Sequence, residues 1–354
     1  MCWFALRDTF ELNAARGEVV PLGGIVQCYG GTSVQWWSSA DALAACPLSA
    51  SNPGSACCNY GGNASCLYNA QIAPYTLGPT QLSAVYWYQG EQNAGCGGPP
   101  QIPYYACALP ALISDWRAKF ASPALPFGVY LLAAWQSASP AFALLRLAQV
   151  AASLALPAVA TCSTLDAGQP AGGPVHSPFK QLPASRCARA MQALVYGQAG
   201  AVAYRGPRAQ AASAAAAPGP AGTRVTLAFD APPPGGALAL DASVACPPAV
   251  SNASCEAFAL QRAAPDCSWV ASAPGGPARA SLSADGTALL LDLGDAGSVA
   301  GVRGLFGAWP LVQLRNAAGL PAEPWLVNIS AASGGGALCP PPSAGEWQDD
   351  GQHA

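Results

Sequence analysis

The 354-residue sequence predicts an α/β fold, a parallel sheet flanked by helices, followed by a small all-β domain. Three observations carry that prediction. Over 1–205, short apolar runs alternate with longer helical stretches, the pattern of a parallel sheet covered on both faces. Beyond about 223, short alternating segments separated by turn residues replace the helical pattern. Hydrophobic residues make up 52% of the chain, so a sizeable core can be buried in a length that suits two domains.

The elements follow in order. Residues 24–29 read as a strand running into Gly30-Gly31-Thr32. Residues 84–88 form a second such run, stopping at Gln89-Gly90-Glu91. A third spans 127–132, and a fourth, 158–162, ends near Asp166. Helical patterns fill 104–119, 141–156 and 180–196; Pro157 stops the second and Gly197 caps the third. The cysteine- and glycine-rich 46–66 stretch reads as a stapled loop. Residues 206–222, almost all Ala, Pro, Gly and Ser, read as a linker or tolerated insertion. The β domain is expected over 223–332, with strands at 223–229 and 287–293. A disordered tail, apart from Cys339, is expected over 333–354.

Charge narrows the function classes. Charged residues are 9% of the chain, far below the roughly 25% usual for soluble domains, and the formal net charge is -3. No block of like charge exists to draw nucleic acid or an anionic membrane surface. The uncharged run 147–165 is divided by Gln149 and Pro157, so no membrane span is expected. Fourteen cysteines point to disulfides formed in an oxidising compartment. The competing zinc reading wants Cys-x-x-Cys or histidine pairs, and the sequence has neither. Sequons at Asn63, Asn252 and Asn328 fit the secretory pathway, extracellular or lysosomal. The opening Met1-Cys2-Trp3-Phe4-Ala5-Leu6-Arg7-Asp8 has no signal-peptide character, and we expect that Met1 is not the natural start.

Ligands of open parallel sheets bind beyond the carboxyl ends of the strands. Three polar clusters fall at such ends: Gly30-Gly31-Thr32-Ser33, Gln89-Gly90-Glu91-Gln92-Asn93, and Asp166 with His176. The sequence holds two histidines, and His353 is in the tail. A histidine base in this fold is therefore His176, and Asp166 is the nearest preceding carboxylate able to orient it.

These residues resemble a known family. Ala84-Val85-Tyr86-Trp87-Tyr88-Gln89-Gly90-Glu91-Gln92-Asn93 looks like the Trp-Tyr-Gln-Gly-Glu-x-Asn signature of the sialate O-acetylesterases, which belong to the SGNH (GDSL-like) hydrolases. Gly30-Gly31-Thr32 with Trp37, Arg146 with Gln149, the His176–Gln181 block, and Trp309-Pro310 with Gly319-Leu320-Pro321-Ala322 resemble further family blocks in the same order. The resemblance implies an SGNH-hydrolase-like sheet and removal of O-acetyl esters from sialic acid or a related sugar or glycan through an acetyl-serine. In that scheme His176 is the base and Asp166 its orienting acid. Gln89 and the Gly31 backbone are oxyanion donors, and Glu91 braces the site or replaces Asp166 as third member. No metal or organic cofactor is implied.

One departure stands out. The family's nucleophile sits in a Gly-Gln-Ser-Asn-type motif upstream of the region resembling Cys2-Trp3-Phe4, and the first serine here is Ser33. An N-terminal truncation accounts together for the missing serine, the missing first strand and the missing signal peptide, and leaves this stretch inactive by itself. A non-catalytic, carbohydrate-binding pseudoenzyme accounts for the serine alone. In that second reading Trp36, Trp37, Trp87 and Trp135 stack on sugar rings.

Overall fold

The structure, a computed structural model, describes residues 1–47, 64–95, 102–137, 139–170, 175–220, 222–230, 234–273 and 275–339. Most of the 46–66 loop and the end of the tail lie outside these residues.

A three-stranded parallel sheet, in the order β1 (Val85–Trp87), β2 (Phe127–Tyr130), β3 (Val159–Cys162), organises the N-terminal half. β2 and β3 are buried along their whole length, as strands covered on both faces must be. One face carries α6 (Ile102–Lys119) and α7 (Ala141–Ala155). Trp37, Trp87, Trp116 and Phe127 pack there ring against ring, among buried Leu109, Leu112 and Leu145. The other face carries α8 (Gln181–Leu194), whose Met191 and Cys187 pack on Tyr130 and Cys162. Gly128 of β2 has no room for a side chain, since a Cβ would lie 2.6 Å from Cys187 Sγ. A disulfide joins Cys162 of β3 to Cys187 of α8. Gly197, at φ +67°, closes the turn after α8 as a left-handed residue.

α1 (Cys2–Ala14) packs against α8, with Gln192 donating to Asn13 Oδ1 at 2.8 Å. Among the described residues β1 pairs on one edge alone, with β2. A cavity of about 1860 Å³ runs along its other edge, between α1 and residues 21–32. Residues 24–29, expected as a strand, form none: Ile25 and Val26 are 48% and 57% exposed and no ladder partner reaches them. An apolar run becomes a strand only when a sheet edge is there to take its N–H and C=O groups.

The β-rich half holds two larger sheets around a second core. One is β10 (Trp269–Ala271), β9 (Phe258–Arg262), β13 (Val299–Gly304) and β16 (Trp325–Asn328); the other is β11 (Ala278–Leu282), β12 (Ala288–Leu293), β6 (Gly222–Asp230) and β4 (Arg208–Ala209). Part of the stretch expected as a linker or insertion is a strand. Its Ala215–Gly219 stretch is β5, which pairs with β6 through Gly219 opposite Gly222. Alanine, weak in strands by itself, is held there by the ladder and by burial of Ala214 and Ala216 against Val225. Two short pairs, β7 (Leu238–Leu240) with β15 (Leu314–Asn316) and β8 (Cys255–Glu256) with β14 (Trp309–Pro310), complete this half. Disulfides join Cys246 to Cys255 and Cys267 to Cys339, and a further one joins Cys46 to Cys107. No group of histidine, cysteine or carboxylate side chains fit to hold a metal occurs among the described residues. None of their helices is long and apolar enough to cross a membrane.

The two halves are tied by buried polar groups. Arg146, fully buried on α7, donates to Leu132 O and Ala133 O at 2.7 Å and to Gly307 O and Ala308 O at 2.9 Å. Glu323 pairs with Arg208 at 2.6 Å and accepts from Thr161 of β3.

Candidate active site

The carboxyl end of the parallel sheet opens into the large cavity, and Gly31, Thr32, Gln89, Glu91, His176 and Lys180 all line it. At the end of β1 the chain turns through Gly90 into the short helix α5 (Glu91–Gly95). Gly90 sits at φ +144°, and a Cβ there would lie 2.6 Å from Leu145 Cδ2, so both conformation and space demand glycine. That turn sends Gln89 and Glu91 to different surroundings.

Gln89 is buried, and both its amide N–H bonds are engaged: one to Thr32 O at 3.0 Å, the other to Asn93 Oδ1 at 2.8 Å. A carbonyl can only accept, so Thr32 O fixes which way the amide faces. Its Oε1 is left buried without a partner. The expected role of Gln89 as an oxyanion donor therefore does not fit this arrangement, because it has no N–H to spare. Gln89 instead braces the Gly-Gly-Thr loop against β1. Asn93 helps, accepting from Val34 N at 2.9 Å. Behind it, Gln149 accepts from Leu132 N at 3.1 Å and donates to Tyr130 O at 3.0 Å and Gln89 O at 3.2 Å. Gly31, at φ +67°, presents a backbone N–H that no described residue accepts.

Glu91 stands at the start of α5, partly buried. Burial pushes its carboxyl above the ordinary glutamate range, against the pull of His176, Lys180 and Arg146. His176 is exposed on the cavity wall and interacts with the Glu91 charge. Asp166, expected to orient His176, is occupied elsewhere. Its Oδ1 and Oδ2 take Arg186 of α8 at 2.6 and 2.8 Å, and Oδ2 also takes Arg315 of β15 at 2.9 Å. Burial alone would raise its carboxyl, but the two arginines outweigh burial and hold it below its usual range. Asp166 is thus a bridge between the two halves, and the carboxylate facing His176 is Glu91.

The four tryptophans separate cleanly. Trp36, Trp37 and Trp87 are buried at 5–6% exposure, and Trp87 donates toward Tyr105 OH. They are core, although Trp37 and Trp87 also border the cavity. Trp135 is partly exposed there, tilted against Phe142 at 5.0 Å, with its backbone N–H on Ala308 O. Among these four it is the one placed to meet a ring.

Sequence reasoning gives Lys180 no role beyond its place in the His176–Gln181 block. It lies just before α8, half-buried over the Tyr88 ring at 5.1 Å. A lysine preceding a helix is ordinary, so its facing the cleft could be seen only in three dimensions.

Residues 3–177 match the family described as carbohydrate esterase, sialic acid-specific acetylesterase. The chain is 35% identical over 122 residues to sialate O-acetylesterase of Homo sapiens, covering 34% of this chain and 21% of that protein. The Rattus norvegicus counterpart is 32% identical over 153 residues, covering 34% of this chain and 26% of that protein. A crystal structure of a carbohydrate acetylesterase from Xanthomonas citri superposes with a TM-score of 0.70 at 26% identity, covering 92% of this chain and 64% of that one. The chain spans about a fifth to a quarter of the length of these curated relatives and under two thirds of the solved structure.

Proposed function

We propose that this chain, whose residues 3–177 belong to the sialic acid-specific acetylesterase family of carbohydrate esterases, forms the greater part of a sugar O-acetylesterase site. One observation carries the reading: a histidine, a carboxylate and a backbone N–H that no described residue accepts, from separate segments, line one cavity at the carboxyl end of a parallel sheet.

The reaction is acyl transfer. A serine hydroxyl attacks the acetyl carbonyl while His176 takes its proton; the charge on the tetrahedral oxygen falls to backbone donors such as Gly31 N–H. Collapse expels the sugar alkoxide, which regains a proton from His176, and water releases acetate from the acetyl-serine by the same steps in reverse roles. Glu91 is the carboxylate that holds the imidazole and offsets its charge. No serine of this chain is assigned that role. The four disulfides among the described residues support an oxidising compartment, secretory or lysosomal.

Acetate release from O-acetylated N-acetylneuraminic acid by the natural full-length protein tests the activity. His176→Ala should lower it by about 10³-fold or more, and full activity in that variant would end the proposal. The choice of carboxylate is tested on the same activity. Glu91→Gln should lower kcat, and Asp166→Asn should leave the kcat of the folded protein in place and lower its melting temperature; the opposite pattern would return the role to Asp166.

A further inference from the structure

Lys180 carries a positive charge that no hydrogen bond or close ion pair engages among the described residues, although the charge of Glu91 acts on it from farther off. No described carboxylate lies within ion-pair distance of its Nζ, and no described acceptor takes any of its three N–H bonds. Its visible contact is the Tyr88 ring, 5.1 Å away, which covers one side of the ammonium and strips part of its water. The other side faces the cavity shared with His176, Glu91 and Gln89. One feature of the surroundings adds to the positive character of this wall. The first turn of α8, which begins one residue after Lys180, contains no acidic residue, so its unbonded N–H groups are not countered by a side chain. Burial draws the Lys180 pKa down from its ordinary value, against the pull of the Glu91 charge, and so marks the ammonium as partly stripped of water. A partly desolvated cation on a cleft wall, with no hydrogen-bond acceptor and no close ion pair among the described residues, is a site for an anion.

We propose that Lys180 is the specificity-determining residue of the cleft, binding the carboxylate of an acidic sugar and so selecting it over neutral sugars. The proposal rests on the carbohydrate-esterase reading above. It adds which substrate group is read and by which residue. The geometry suits the task, since Lys180 sits on the same wall as His176, where a sugar presenting an acetyl ester to the imidazole would place a neighbouring substituent within a side chain's reach. Trp135, partly exposed in the same cavity, offers an apolar face for the sugar ring.

The experiment is binding, so it does not depend on turnover. N-acetylneuraminic acid, its methyl ester and a neutral sugar, N-acetylglucosamine, are titrated calorimetrically into the purified chain, into Lys180→Met and into Lys180→Arg. The acid should bind the native chain about tenfold more tightly than its ester, Lys180→Met should abolish that preference, and Lys180→Arg should retain most of it. Equal binding of acid and ester by the native chain, or a preference that survives Lys180→Met, overturns the role of Lys180 and leaves the carbohydrate reading intact. Binding of none of the three sugars overturns the carbohydrate reading and this inference with it. Far-ultraviolet circular dichroism of the variants separates a lost charge from a lost fold.

Discussion

Replacing Arg146 by methionine tests how the cleft wall is held. The guanidinium is fully buried on α7 and meets four backbone carbonyls, two from the loop after β2 and two from the loop before β14. Burial draws its pKa down to about 9, which still leaves it charged at neutral pH. Methionine fills nearly the same volume, so the cavity term is small. It donates nothing. Ala308 O keeps the Trp135 N–H, but Leu132 O, Ala133 O and Gly307 O lose the donor that the structure gives them. At about 1 kcal/mol or more for each buried carbonyl left bare, the loss is on the order of 3 kcal/mol. The desolvation cost of the charge itself, removed with it, offsets part of that. In a thermal melt this corresponds to a fall of roughly 5–10 °C. Arg146→Lys should fall at least as far, because an ammonium with three N–H bonds keeps a buried charge but cannot satisfy four carbonyls spread over two loops. Hydrogen exchange at Trp135 N–H should accelerate in both. A melting point within 1 °C of the parent for Arg146→Met would refute the claim that these contacts hold the two halves together.

Three further outcomes follow from the same geometry. Burial raises the Glu91 carboxyl, so the folded state holds that proton more tightly than the unfolded chain; the stabilisation is complete below the ordinary glutamate range and is lost as pH rises through the raised value. Glu91→Gln should therefore match the parent in acid and exceed its melting temperature increasingly as pH rises above the ordinary glutamate range, and a constant difference across pH would disprove the assignment. Gln89→Glu places an acceptor against Thr32 O where an N–H now donates, and should cost about 2–3 kcal/mol in urea unfolding, more than Gln89→Met does. Replacing Cys162 and Cys187 together by alanine opens a loop closed across a sequence separation of 25 and should cost about 3.5 kcal/mol by the loop-entropy estimate, read as a lower urea midpoint.

Much of the parallel sheet was legible because its signals are local. β1, β2 and β3 are short apolar runs ended by turn residues, and the three long helices carry proline and glycine punctuation that a reader can place without knowing the fold. Strand pairing is not local. Residues 24–29 have the composition of a strand and no ladder, while 215–219 have the composition of a linker and a full one, because the partner decides in both cases. The site divides the same way. Glycine at position 90 and histidine at 176 could be singled out from residue type and position. The engagement of both Gln89 donors, and the claim of Arg186 and Arg315 on Asp166, depend on groups brought from distant segments. A carboxylate near a histidine in sequence carries no information about which arginines will reach it first.

The polar groups under the cleft are sorted by chemistry. Gln89, Asn93, Gln149 and Arg146, which brace the loops, keep one protonation state across the working range of pH, and they hold backbone carbonyls and amides and not other charged side chains. The groups that can change charge, Glu91, His176 and Lys180, stand together on the cavity wall, supported by that frame but bonded into little of it. A frame of fixed-charge donors keeps its geometry when the wall titrates. Shifts in pH should therefore act on ligand binding and proton transfer at the wall well before they loosen the loops that shape it.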